Sequence, residues 1–288
     1  MNSALLRPQS HSDEPPSIKP RRMAFDMSEL KEKYFFRENP ILSTFLYALS
    51  ASFPDGERFF IDAVRYYQKD LKDPLLISQV RGFIGQEAHH AHIHDHFNER
   101  AEILGMAMTE IQGIFKKRIT MVQKRLSPAD QLAITSAIEH ITATVAQWTL
   151  ENSESELTRG DSSPLREMLL WHAMEEIEHK AVAFDVFRQT VNDEALRIRW
   201  AKIVFRMFWI QMARAQCVLL WRDRSLPSLQ HVREAWQFMW GQNGMRRWAR
   251  PELDKYLHNG FHPSDIDQNH LLESWHENHP EIAALQIA

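Results

Sequence analysis

Cysteine is almost absent: Cys217 is the only one in 288 residues. An intrachain disulfide is thereby excluded, and so is a thiolate metal cluster. Such cysteine usage fits a reducing compartment, and the cytoplasm is the expected location. Glycine is scarce, at nine residues. Long helices favour that scarcity, because an interior glycine costs about 1 kcal/mol relative to alanine. A charge of one sign is also lacking. The formal net charge is −4 and no basic run stands out, so a nucleic-acid partner finds no support. The first residues contain no apolar run of signal-peptide type. Their polar, proline-punctuated character, with Pro15, Pro16 and Pro20, predicts a disordered segment over residues 1–25.

The remaining chain, 26–288, reads as one all-helical domain. Residues 41–53 form an apolar stretch without glycine, which Pro54 is expected to end. A new helix then starts, with Pro54 in its first turn, and runs to about residue 71. Lys72-Asp73-Pro74 breaks the chain before a helix over 75–104, and helical character continues to about 125. Ser127-Pro128 is a cap followed by an N1 proline, opening a helix to about 158. A second such signal, Gly160 to Pro164, opens a helix to about 191. These segments predict a four-helix bundle core over about 41–191. A C-terminal helical extension over about 195–288 follows, loop-rich from Pro251 onward. Within it, residues 196–222 are unusually apolar but carry Arg197, Arg199, Lys202, Arg206 and Arg214. Those charges argue against a membrane span. A helix packed on its own protein is expected, with peripheral contact at a lipid interface as the alternative.

Histidine, in contrast, is abundant at fifteen residues. Two long helices each carry Glu-x-x-His, at Glu87/His90 and at Glu176/His179, a spacing that puts both side chains on one helix face. Alone the motif is weak: 23 glutamates and 15 histidines in 288 residues give about one by chance, and a third occurs at Glu273/His276. The surroundings carry more. Glu57 is in phase with Phe53, Ile61 and Val64, and Glu139 with Leu132, Ser136, Ala143 and Ala146. Glu176 and His179 are in phase with Leu165, Leu169, His172 and Val186. A carboxylate on an apolar stripe must be paired, protonated or bound to metal. A bundle that contributes one glutamate from each of two helices and Glu-x-x-His from each of two others matches the ferritin-like dinuclear arrangement. The expected metal set is therefore Glu57, Glu87, His90, Glu139, Glu176 and His179. Four carboxylates balance two divalent ions. Oxygen and imidazole ligands without thiolate suit iron or manganese, alone or mixed, and also allow zinc. His94 and His172 lie one turn from these positions, and Asp185 nine residues past Glu176. Each is read as a further ligand or as a hydrogen-bonding partner of a ligand. Glu175 and Glu178 are read as outer or solvated, and His89 and His140 as packing residues.

The strings Phe-Pro-Asp-Gly-Glu (53–57), Gly-Gln-Glu-Ala-His-His (85–90), Trp-His-Ala-Met-Glu-Glu-Ile-Glu-His-Lys-Ala-Val-Ala-Phe-Asp (171–185) and Gly-Phe-His-Pro (260–263) resemble the bacterial family called predicted metal-dependent hydrolase. The resemblance spans roughly residues 28–280. The ligand order also resembles the wider ferritin-like di-iron carboxylate superfamily, which implies the same six ligands. In that superfamily the first ligand stands mid-helix, whereas Glu57 closely follows Pro54. The leading expectation is a di-iron enzyme that activates O2 to oxidise a small apolar, acyl or aromatic substrate, drawing on an electron-donor protein. Arg206 or Arg214 is a candidate for holding a substrate carboxylate. The alternatives are a two-metal hydrolase of an ester or amide and a non-enzymatic iron-binding protein. The Trp-rich helices also make a homodimer an expectation.

Overall fold

The computed structural model describes residues 18–152 and 164–279, and its regular elements are helices. Among the described residues ten α-helices follow one another: α1 Pro40–Tyr67, α2 Pro74–Ile103, α3 Met108–Arg125, α4 Pro128–Glu151, α5 Pro164–His179, α6 Val182–Thr190, α7 Glu194–Asp223, α8 Leu229–Trp240, α9 Met245–Lys255 and α10 Asn269–Asn278. The local signals act where the sequence places them. Asn39 caps α1, accepting from the N–H groups of Ile41 and Leu42. Ser127 and Asp130 form a capping box on α4. Gly105, at φ +88°, ends α2 with the paired Met106 N–H to Ala101 and Gly105 N–H to Glu102 bonds of a Schellman turn.

Four expectations change. First, Pro54 does not end a helix. It lies inside α1, so Glu57 stands mid-helix. A proline at this position strips the Ser50 carbonyl of its helical donor. Asn98 of α2 supplies the substitute, its Nδ2 donating to Ser50 O at 3.2 Å. Asn98→Ala is therefore expected to lower stability by about 1–3 kcal/mol in urea unfolding. Pro54→Ala in the same chain returns the N–H, so the loss in the double variant is expected to be smaller than the sum of the singles. Simple additivity would mean that Asn98 does not compensate the proline.

Second, residues 18–25, placed in the disordered segment by sequence, are packed. Ile18 and Arg21 are buried. The strand-like segment crosses α2 where that helix has Gly82 and Gly85. A Cβ at Gly82 would lie 2.2 Å from Ile18 O, and one at Gly85 2.3 Å from Pro20 Cγ. Residues 1–17 fall outside the described part, as do 153–158 of the expected fourth segment and the Gly160–Ser163 cap. Third, the helix expected to reach 191 is interrupted at Lys180–Ala181, directly after His179, and resumes as α6. Lys180 turns away there and donates to Ile266 O and Gln268 Oε1, both at 2.6 Å. Fourth, the tail is not loop from Pro251. Pro251 lies within α9, and Glu273 and His276 lie on α10.

Two apolar clusters fill the interior. One gathers Tyr47, Phe97, Trp148, Trp171 and Met174; the other gathers Phe60, Val64, Phe83, Leu132 and Phe184. Along α1, α2 and α4 the chain passes from one cluster to the other, and the acidic and histidine residues sit at the crossing. α7 is long and apolar enough to cross a membrane by length and composition. In this fold it lies along the bundle, with Met212, Ala215 and Leu219 buried and Gln216 donating to Ile41 O at 2.6 Å.

Candidate metal centre

α1, α2, α4 and α5 converge at the seam between the two clusters. α1 contributes Glu57, α2 Glu87 and His90, α4 Glu139, and α5 His172, Glu176 and His179; all seven are buried. Glu57, His90 and His172 each offer one ligand atom within 4.8 Å of the others, and Glu87, Glu176 and His179 form a second such group. Glu139 Oε2 lies 3.4 Å from His179 Nε2. Glu176 joins the groups: Oε1 is 2.8 Å from His172 Nε2 and 3.9 Å from His90 Nδ1, while Oε2 is 3.5 Å from His179 Nε2.

Most of these atoms lack a partner. Both oxygens of Glu57, Glu87 and Glu139, together with Glu176 Oε2, His90 Nδ1 and His179 Nε2, are buried without a hydrogen bond. His179 Nε2 is 3.1 Å from Glu87 Oε1 but makes no hydrogen bond to it. Buried polar atoms are rarely left so, and an ion is one of the few explanations for many orphans aimed at one place.

The outer partners decide which imidazole nitrogen is free. Gln86 Nε2 donates to Glu178 Oε2 at 2.7 Å and to Lys19 O at 3.3 Å, so its Oε1 accepts from His179 Nδ1 at 3.0 Å. The lone pair of His179 is then on Nε2, facing the carboxylates. His90 Nε2 donates to Glu175 Oε2 at 3.0 Å, which leaves the lone pair on Nδ1. For His172 the chain is longer. Asn98 donates its amide to Ser50 O, so Asn98 Oδ1 accepts from Ser50 Oγ at 2.8 Å. Ser50 Oγ then accepts from His94 Nδ1 at 2.8 Å, and His94 Nε2 accepts from His172 Nδ1 at 2.8 Å. Neutral His172 then turns the lone pair of Nε2 toward Glu57 and Glu176, and the 2.8 Å hydrogen bond from Nε2 to Glu176 Oε1 forms when a proton is held between them. Three imidazoles thus turn unprotonated nitrogens toward carboxylate oxygens, an arrangement that repels itself without a cation between them.

Without metal, protons fill that role. Burial, reinforced by the neighbouring carboxylates with Glu87 foremost, pushes Glu57 and Glu139 well above the ordinary carboxylate range, and burial raises Glu87 as well. Burial acts to raise Glu176 too, but contacts from His172 and His179 outweigh it and hold this group well below the usual value. Burial opposes the charge on His179, yet Glu176 and Glu87 push it well up. Burial and the nearby His172 hold His90 and His94 well below 6.5.

A stability prediction follows above about pH 7.5, where His90 and His94 are neutral whether folded or unfolded and add no slope. Glu57, Glu139 and His179 keep protons in the fold that the unfolded chain has released. Stability contributed at lower pH is therefore lost as pH rises through their raised folded values. Metal binding displaces those protons and strengthens as pH rises. The melting temperature of chelator-treated protein is expected to fall from about pH 7.5 to about 9, and its gap to metal-loaded protein to widen. Parallel curves would contradict this account.

The other expectations sort as follows. His94 does not face the centre; it bridges Ser50 and His172. Asp185 does not bond to any of the expected ligands: its Oδ1 accepts from His262 Nε2 at 2.7 Å, because the break after His179 sets α6 apart from α5. His140 packs against Tyr256 and Phe261, and burial pushes its pKa down to about 4. Glu175 and Glu178 are not solvated; both are buried against Arg21. Arg21, Gln86, Ser50 and Asn98 escaped the sequence reading. Only the two glycines of α2 hint at a segment lying against it.

An apolar pocket ends at this centre. Phe45, Leu49 and Phe53 of α1, Val145 and Trp148 of α4, and Phe208 and Trp209 of α7 form its walls, and His172 and Glu176 belong to its lining. Among the described residues no lysine, arginine, asparagine or glutamine lines it, and Thr142 and Thr149 supply its hydroxyls. Arg206 and Arg214, considered for a substrate carboxylate, are exposed on α7 and are not part of it.

No curated protein and no solved structure matches the chain. A family match runs over residues 19–267, from the segment that carries Arg21 to the loop after α9, and takes in every residue of the centre. The chain belongs to the family described as predicted metal-dependent hydrolase.

Proposed function

We propose that this protein is a dinuclear metalloenzyme acting on an apolar small molecule. The observation that carries the reading is the set of orphaned, buried carboxylate and imidazole atoms from α1, α2, α4 and α5. Glu57, His90 and His172 would hold one ion and Glu87, Glu139 and His179 the other, with Glu176 reaching both. Ligation by oxygen and nitrogen alone, in the manner of ferritin-like carboxylate bundles, suits iron, manganese or zinc. The protein's part is to hold the imidazole lone pairs inward through Gln86, Glu175 and His94, to exclude water with the aromatic walls, and to admit an apolar substrate as far as His172 and Glu176.

Hydrolysis of an ester or amide is supported by the family's description. Two divalent ions would there lower the pKa of water and polarise a carbonyl. Oxidation of the substrate by O2 is the second reading, favoured by a pocket walled mainly by hydrocarbon, with no amide, lysine or arginine side chain among its described lining residues to hold a carbonyl oxygen.

One preparation separates the readings. Protein loaded anaerobically with Fe(II), and separately with Zn(II) or Mn(II), is expected to retain about two ions per chain. It is then assayed against medium-chain aryl esters and amides, and by oxygen consumption. Ester or amide turnover with Zn(II) or Mn(II) supports hydrolysis. Oxygen uptake confined to the Fe(II) form supports oxidation. Folded protein that retains no metal overturns both.

A further inference from the structure

Residues 195–250 carry eleven lysines and arginines against two acidic residues, a net of +9 in a chain whose formal charge is −4. This corrects the impression of a chain without a basic region: apolar residues separate the charges in sequence, and they fall on α7, α8 and α9. Both acids are engaged. Asp223 pairs with Lys33 and Tyr34, and Glu234 accepts from Asn39 and Gln230. Lys202, Arg206, Arg214, Arg224, Arg233 and Arg247 are exposed and have no carboxylate partner among the described residues.

Among these cations, α8 turns apolar side chains outward. Leu229 is 89% exposed, Val232 50% and Trp236 65%, and Leu226 just before the helix is 94% exposed. The opposite face holds the buried Ala235 and Phe238. Single exposed apolar residues are ordinary; a row along one helix face marks an interaction surface. The row is continuous with the apolar pocket. The rings of Trp236 and Trp240 are 5.9 Å apart, and the Arg246 guanidinium lies 4.5 Å from the Trp240 ring and 5.0 Å from that of Trp209, a pocket wall.

We propose that the outward face of α8, with Arg224 just before it, its own Arg233 and the cations of the adjoining α9, docks on an anionic phospholipid surface. Leu226, Leu229, Val232 and Trp236 enter the headgroup layer, and the arginines meet lipid phosphates. Tryptophan, aliphatic side chains and arginine on one helix face suit that boundary. A second copy of this chain is disfavoured, because a two-fold contact sets the same positive surface against itself. Nucleic acid would use the arginines but leaves the outward leucines and valine without a role. The docked face lies beside the pocket through Trp209, so an apolar substrate dissolved in the bilayer has a short path to it. The docking itself rests on α7–α9 alone and holds whichever chemistry the metal centre performs.

The test is flotation of the full chain with vesicles of phosphatidylcholine containing about 30 mol% phosphatidylglycerol, against pure phosphatidylcholine, at about 0.1 M salt. Binding is expected to be at least about tenfold stronger to the anionic vesicles and to weaken as salt rises. Arg224→Glu/Arg233→Glu is expected to remove that preference, and Leu229→Ser/Trp236→Ser to lower binding at least about tenfold. Both variants are expected to keep the parent's helical circular dichroism and metal content, which rules out misfolding as the cause. No flotation of the parent, or flotation that both double variants leave unchanged, overturns the proposal. So does a dimer, or duplex DNA binding, that the same variants abolish while the parent ignores vesicles.

Discussion

Glu176→Ala is expected to strip both ions from the protein, and Glu57→Ala to strip only one. The difference follows from position. Glu57 stands in one group, with His90 and His172, and Glu87 and His179 stand in the other. Glu176 approaches imidazoles of both, 2.8 Å from His172 and 3.5 Å from His179. Losing an outer partner of a metal ligand costs about 10–100-fold in affinity, so losing the ligand that reaches both groups costs more than about 100-fold. The measurement is metal content per chain after gel filtration, with helical circular dichroism as the control. About two ions in the parent, one in Glu57→Ala and none in Glu176→Ala is the expected series. Two ions retained by folded Glu176→Ala would remove the centre from these residues. Metal-free stability is expected to move the other way. Glu57→Leu removes a buried carboxyl that has no partner, so the chelated variant should resist urea better than the chelated parent. Loss of function with a gain in stability is the signature of a site held against the preference of the fold.

The convergence of the six proposed ligand positions was legible because helix geometry is local. An i, i+3 spacing and a stripe of apolar residues are read along one segment, and the structure brings Glu57, Glu87, His90, Glu139, Glu176 and His179 to one seam. What escaped depends on contacts between distant segments. Pro54 reads as a stop by every local rule. It is tolerated because Asn98, on another helix, takes over the donor role. His172 could be placed near the site by phase, but its tautomer is set by a chain through His94 and Ser50 to that same Asn98. Glu175 and Glu178 look like solvated neighbours of Glu176 because three acidic residues in four suggest a wet surface; their burial depends on a cation from residue 21. Asp185 is placed by its distance along the chain, nine residues past Glu176; the helix stops after His179, and Asp185 pairs with His262 of a distant loop.

Arg21→Ala is expected to be the most destabilising single change outside the metal ligands. Nη1 lies 3.0 Å from Glu175 Oε1 and 2.7 Å from Glu178 Oε2, and Nη2 lies 2.6 Å from Glu178 Oε1. Arg21 is 1% exposed and Glu175 0%. Truncation at Arg21 leaves two carboxylates buried without their cation, a loss of about 3–5 kcal/mol for a broken buried pair. Lysine is a poor replacement, since it lacks the planar fork that meets two carboxylates at once. The damage should reach the centre although Arg21 touches no ligand. Burial already raises Glu175 despite Arg21, and without the guanidinium it takes up a proton. His90 Nε2 then loses its charged acceptor, and the inward lone pair on Nδ1 is no longer fixed. Metal affinity is expected to fall about 10–100-fold, the usual effect of an outer partner. Urea unfolding reads the first effect and a chelator competition the second. The triple variant Arg21→Met/Glu175→Gln/Glu178→Gln separates the two: it removes the unpaired charges and should regain most of the stability, while a neutral amide beside His90 leaves the metal affinity low. A change of less than about 0.5 kcal/mol in Arg21→Ala, the range of an ordinary surface substitution, would mean that residues 18–25 do not close this side of the bundle.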